Sequence, residues 1–149
     1  MLTPIVTQFI PITTDNIEAS QSSNQLTLQY TGGAEGSLTA NLSAQLSSSD
    51  TTQVTKIFDG KQFSYKLVIT NTGTVDLTNV QLTMPRSNHV DFDGAPTAED
   101  SVAITTNPVT PADTDTTITI SITNAIPHTT GNSVTIYIPV IGSSTETRA

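Results

Sequence analysis

Cysteine and tryptophan are absent from this chain, and with cysteine go the disulfide framework, the thiolate metal site and the thiol nucleophile. Charge is scarce too. Charged residues make up 12% of the 149 residues, against an average of roughly 25%. The five basic residues, Lys56, Lys61, Lys66, Arg86 and Arg148, are scattered, and thirteen acidic ones bring the formal net charge to −8 and the pI to about 4.3. Nucleic acid and anionic membrane surfaces are therefore not expected as partners, because their phosphates need a clustered positive patch to displace counterions. No apolar run approaches the roughly 20 residues of a membrane-spanning helix. The opening MLTPIVTQFIPITTD lacks a basic start, is interrupted by Pro4 and Pro11, and reaches no small-residue cleavage site, so it does not read as a signal peptide. Either an export signal was removed ahead of this numbering, or the protein reaches its surface by assembly and release.

What the chain has in abundance is threonine, about one residue in five, a β-branched type suited to a pleated, half-exposed surface. Alternation of apolar and polar residues dominates. In KQFSYKLVITNTG, residues Phe63, Tyr65, Leu67 and Ile69 fall on one face and Ser64, Lys66 and Thr70 on the other. Asn71 and Gly73 then place an amide side chain and a residue tolerant of left-handed backbone where the strand must turn, which predicts a tight hairpin. TDTTITISITN repeats the pattern with Ile118, Ile120 and Ile122, and NSVTIYIPV with Val134, Ile136, Ile138 and Val140. Shorter strands are expected at 77–84 (Leu77, Val80, Leu82), 88–92 and 101–106 (Val102, Ile104), separated by turn-forming TGTVD, DFDGAP and NPVTPAD. QLTLQY and SLTANLSAQL, joined by TGGAEG, read as a hairpin setting Leu26, Leu28 and Tyr30 against Leu38, Leu42 and Leu46. Residues 2–12 form an apolar strand with prolines near both ends, which confines it to a sheet edge. No helix of any length is evident, and the expected fold is an all-β antiparallel sandwich.

FSYKLVITNTGTVDLTNVQLTMP, from Phe63 to Pro85, resembles the bacterial and archaeal surface repeats of unknown function usually called DUF11. Their hallmark is a strand ending in Thr-Asn-Thr-Gly, a short turn, then Leu-Thr-Asn-Val and a Pro-ended strand. PADTDTTITISI resembles the loop that enters the family's alternating strand, with Ala112 in place of the usual Gly, and SNQLTLQYTGG is similar to a hairpin that often precedes such repeats. The likeness covers residues 52–142. It implies an immunoglobulin-like sandwich used as a spacer, stalk or assembly unit of surface proteins, with no catalytic residues to carry over. The chain departs from the pattern in holding one repeat, which becomes a long stalk only by polymerising. The domain reading that follows is an N-terminal strand and hairpin extension over 1–51, the sandwich over 52–142 and a polar tail over 143–149.

Catalytic chemistry is thinly represented. A hydrolase base would have to be His89 or His128. His89 stands near Asp91 in RSNHVDFDG, but no nucleophile elbow accompanies it, and His128 in IPHTTGN reads as a turn residue. The chain is therefore expected not to be an enzyme, and no small-molecule ligand is expected. Asp91 and Asp93 in DFDGAPTAED, and Asp113 and Asp115 in PADTDTT, are the candidate metal ligands, since alternating loop carboxylates can supply the oxygen cage calcium prefers. The competing reading is that these aspartates cap turns through their own backbone bonds. No other cofactor is expected.

Natural sandwich monomers guard their sheet edges with charge, yet IVTQFI and VTIYIPVI carry none. Leu2, Ile5, Val6, Phe9, Ile10 and Ile12 are too many apolar residues for a solvated tail, at roughly 1.5–3 kcal/mol for burying each. They either complete this chain's own sandwich or insert along a neighbouring subunit, and insertion is the preferred expectation because it builds an open fibre from one component. The functional expectation is a structural subunit of an extracellular homopolymeric fibre or appendage at a cell, spore or virion surface, with itself as partner. The alternatives are an adhesin or carbohydrate-binding module and a viral capsid or decoration protein.

Overall fold

The structure, a computed structural model, describes residues 5–10, 13–14, 24–31, 38–54, 56–86 and 90–143. Twelve strands follow in order: β1 (Ile5–Ile10), β2 (Thr13–Thr14), β3 (Asn24–Thr31), β4 (Leu38–Gln45), β5 (Lys56–Ile57), β6 (Gln62–Asn71), β7 (Thr78–Pro85), β8 (Val90–Phe92), β9 (Thr97–Ala98), β10 (Ile104–Asn107), β11 (Thr117–Ile122) and β12 (Ser133–Gly142). Among the described residues the only helical element is a 3-10 turn at Glu99–Ser101. The strands form one sheet in the order β1-β3-β7-β11-β10 and a second in the order β4-β6-β12-β8, with β9 also on β12. Both are antiparallel throughout, and the short β2 and β5 pair in parallel beside them.

Alternation explains how the two sheets stack. In β6 the odd positions Phe63, Tyr65, Leu67 and Ile69 are buried, and in β11 the even ones, Ile118, Ile120 and Ile122. One core joins Leu28, Leu82 and Ile120 of the first sheet to Leu42, Leu67 and Ile136 of the second. The fold is thus an all-β sandwich. Ile104 is half-buried, because β10 is an edge strand with a neighbour on one side only. Pro139 lies inside β12 without breaking it. Its carbonyl accepts from Asp93 N on the β8 side, and its missing donor falls in the gap where the partner of β12 changes from β9 to β8.

Two expectations need correction. β3 and β4 are not a hairpin: β3 pairs with β1 and β7, β4 pairs with β6, and the two strands stand in opposite sheets. Leu28, Tyr30, Leu38 and Leu42 still enter one core, whereas Leu46 lies past the end of β4 and is exposed. β1, β3 and β4, which precede residue 51, are strands of the same two sheets as β6 to β12. Nor do β6 and β7 form a tight hairpin. They too lie in opposite sheets, and among the described residues the glycines at positive φ are Gly60, Gly94 and Gly131, not Gly73.

Candidate functional site

The turn after β6 is organised by Asn71, which is buried. Its amide nitrogen donates to the carbonyls of Val75 and Ile126, both at 2.9 Å, and its Oδ1 accepts from Gly73 N at 2.9 Å. Asn132 Nδ2 donates to the Asn71 carbonyl. One side chain thus satisfies three backbone groups of two loops, which is why the chain can arch from one sheet to the other without leaving orphaned polar groups. The sequence reading singled out Asn71 and Gly73 for a turn. It missed that Gly73 contributes an amide rather than a left-handed conformation.

Beside this knot His128 Nδ1 lies 2.7 Å from Asp76 Oδ1, which also accepts the His128 backbone N–H at 3.1 Å. The imidazole contact first, then the backbone bond, holds the Asp76 carboxyl below its ordinary range. The pair is exposed and clasps the β6–β7 and β11–β12 loops together. His89, the other candidate base, lies outside the described residues. Its sequence neighbour Asp91 faces Arg86 Nη1 at 3.8 Å.

At the opposite end of the sandwich the candidate calcium ligands separate. Asp91, Asp93 and Asp113 line one shallow depression of about 540 Å3, together with Asp59, which sequence reasoning did not select. The bond from Gly94 N to the Pro111 carbonyl holds the two loops together there. Asp115 does not join them. Its Oδ2 accepts from Ala112 N at 2.7 Å and closes the β10–β11 turn, as expected of a capping aspartate. Asp93 Oδ2 accepts from Gln62 Nε2 at 2.7 Å, and Arg86 Nη1 also donates to the Asp113 carbonyl. Among the described residues no three carboxylate or imidazole groups are arranged to hold a metal ion.

Aromatic platforms are likewise occupied. Tyr30 and Tyr65 are buried in the core, and Tyr137, on the outer side of β12, is covered because its hydroxyl donates to Glu99. That bond, followed by burial, pushes the Tyr137 phenol up to about 12. Among the described residues the exposed large apolar side chains are Leu46, Phe58 and Val109.

β1 pairs with β3 of its own chain, with Ile5 opposite Gln29, Val6 opposite Leu28, Phe9 opposite Gln25 and Ile10 opposite Asn24. Leu2 and Ile12 of the expected assembly segment lie outside the described residues. β1 is one edge of its sheet and β10 the other. Across that sheet, IVTQFI, NQLTLQYT, TNVQLTMP, TITISI and ITTN contain no charged residue at all. In the four ordered strands of the other sheet the charged residues are Lys66 and Asp91 alone. Among the described residues the other charged ones lie in loops, in the 3-10 turn and, for Lys56, in β5. No match to the chain was found among family models, curated proteins or solved structures.

Proposed function

We propose that this chain is a non-enzymatic structural subunit, immunoglobulin-like in its sandwich, that polymerises with copies of itself into an extracellular fibre or surface appendage by strand addition or end-to-end docking. One observation carries the reading: a whole sheet, including both of its edge strands, is free of charge. Edge strands present unpaired N–H and C=O groups, and monomeric sandwiches blunt them with charged side chains, above all lysine. Here that protection is missing from β1 and from β10. Strand exchange is available without new chemistry, because the β1–β3 pairing that closes the sheet within one chain can close it between two. The DUF11-like stretch from Phe63 to Pro85 supports the same reading by likeness. The adhesin alternative loses its usual device, since every tyrosine is buried and tryptophan is absent.

Negative-stain microscopy of the purified protein, alongside a variant lacking residues 1–12, tests the proposal. The full chain forms fibres, and the truncated chain stays folded and soluble but does not polymerise. Unfolding of the truncated chain would assign β1 to its own sandwich alone, and wild-type fibres from it would remove the strand from the mechanism.

A further inference from the structure

The solvent side of the β1-β3-β7-β11-β10 sheet is as regular as its core side. Thr83 pairs in register with Thr119, and Thr119 with Asn107; two residues along, Gln81 pairs with Ser121 and Ser121 with Thr105. Thr27 and Gln29 of β3 hold the backbone register positions next to Thr83 and Gln81. In β7 these outward residues alternate with buried Val80, Leu82 and Met84. Gln81 Nε2 donates to Ser121 Oγ at 3.3 Å and Asn79 Nδ2 to Thr31 Oγ1 at 3.4 Å, so neighbouring strands are laced by hydroxyls and amides. A shallow depression of about 470 Å3 runs along this face between Thr31, Asn79, Gln81, Thr105, Ser121 and Thr123.

We infer that this uncharged face is the surface through which two copies of the chain pack against each other about a two-fold axis. The inference rests on the self-association proposed above and names where lateral contact is made. Charge selects the occupant. Each copy carries a net charge of −8, so two copies repel least where neither presents a charged group, and the five strands of this sheet carry none whereas the other sheet holds Lys66 and Asp91. Chemistry selects the symmetry. In a two-fold contact each side chain meets its own kind or a near neighbour, which suits groups that both donate and accept. Threonine and serine hydroxyls and glutamine and asparagine amides do both. A face of lysines or aspartates could not be self-complementary. Five strands about 4.8 Å apart and up to about 26 Å long offer roughly 500 Å2. Two copies therefore bury about 1,000 Å2 in total, the lower bound for a specific interface. The contact is accordingly weak between free subunits and cumulative along two parallel fibres.

The absence of cysteine makes the test direct. Thr83→Cys, on the central strand, and Ser121→Cys are made singly in the full chain, with Thr130→Cys in an exposed end loop as the control, and each is oxidised at rising protein concentration. Covalent dimers form at residues 83 and 121 at least about tenfold faster than at 130, and the difference grows with salt as the net charges are screened. Thr83→Glu weakens lateral association at least about tenfold, because like charges then meet across the axis, while Thr83→Gln retains it; melting curves confirm that both fold. Equal cross-linking at the three positions, or unchanged association in Thr83→Glu, overturns the inference. Fibres that form normally while face cross-linking fails leave the fibre proposal standing alone. Face dimers without fibres sink the fibre proposal and keep the face, and a protein monomeric under all conditions sinks both.

Discussion

The side-chain amide of Asn71 donates to the backbone carbonyl of Ile126 at 2.9 Å, joining the end of β6 to the loop that leads into β12. The same nitrogen reaches Val75, and the oxygen receives Gly73. Replacing Asn71 by alanine takes this partner from the Val75 carbonyl and the Gly73 N–H, at about 1–3 kcal/mol each when fully desolvated, while the Ile126 carbonyl keeps its bond from Leu77 N. Asn71→Ala is expected to lose roughly 2–4 kcal/mol, read as a lower urea midpoint at unchanged slope. Asn71→Asp does not rescue it, because an ionised carboxylate cannot donate to the two carbonyls.

Leu67 is fully buried, with Leu42 and Ile136 as its register partners on either side. Leu67→Ala removes packing from the middle of the core and is expected to cost about 2–5 kcal/mol. Thermal unfolding measures it. A loss below about 1 kcal/mol would mean that the cavity collapses or that the strand is not central.

The Asp76–His128 clasp makes stability depend on acid in a defined direction. The carboxyl is held below its ordinary value of 3.8 by the imidazole contact and the backbone N–H. Its contribution is therefore complete above 3.8, the value the unfolded chain keeps, and is lost as pH falls through the lower folded value. Asp76→Asn is expected to flatten the stability profile in that window and to leave the rest of the curve parallel to wild type. An identical acid limb in both proteins would remove the clasp as its cause.

Calcium is expected to leave the melting temperature unmoved, because Asp91 faces Arg86, Asp93 is bonded to Gln62 and Asp115 closes its own turn. Differential scanning fluorimetry with chelator and with millimolar calcium checks this. An upward shift of several degrees that disappears in Asp93→Asn would make the depression between Asp59, Asp91, Asp93 and Asp113 a ligand site.

Residue alternation by itself determined that this protein is built from strands, which side of each strand is buried, and most of the core. Phe63, Tyr65, Leu67, Ile69, Leu82, Ile118, Ile120, Ile122, Val134, Ile136 and Ile138 are buried as their spacing requires. The sequence likewise showed, before any fold, that charge is missing from IVTQFI and VTIYIPVI. Tertiary structure decided the neighbours. A period of two states which face of a strand turns inward but not which strand lies beside it. Leu28 and Leu42 looked like hairpin partners and instead stand in opposite sheets, beside Leu82 and Leu67. Proximity between distant positions was equally hidden: Asp59 lines the same depression as Asp91, Glu99 covers Tyr137, and Asn71 reaches Ile126. Each depends on where two polar side chains end up after the sheets have stacked, and alternation along one strand carries no information about the other.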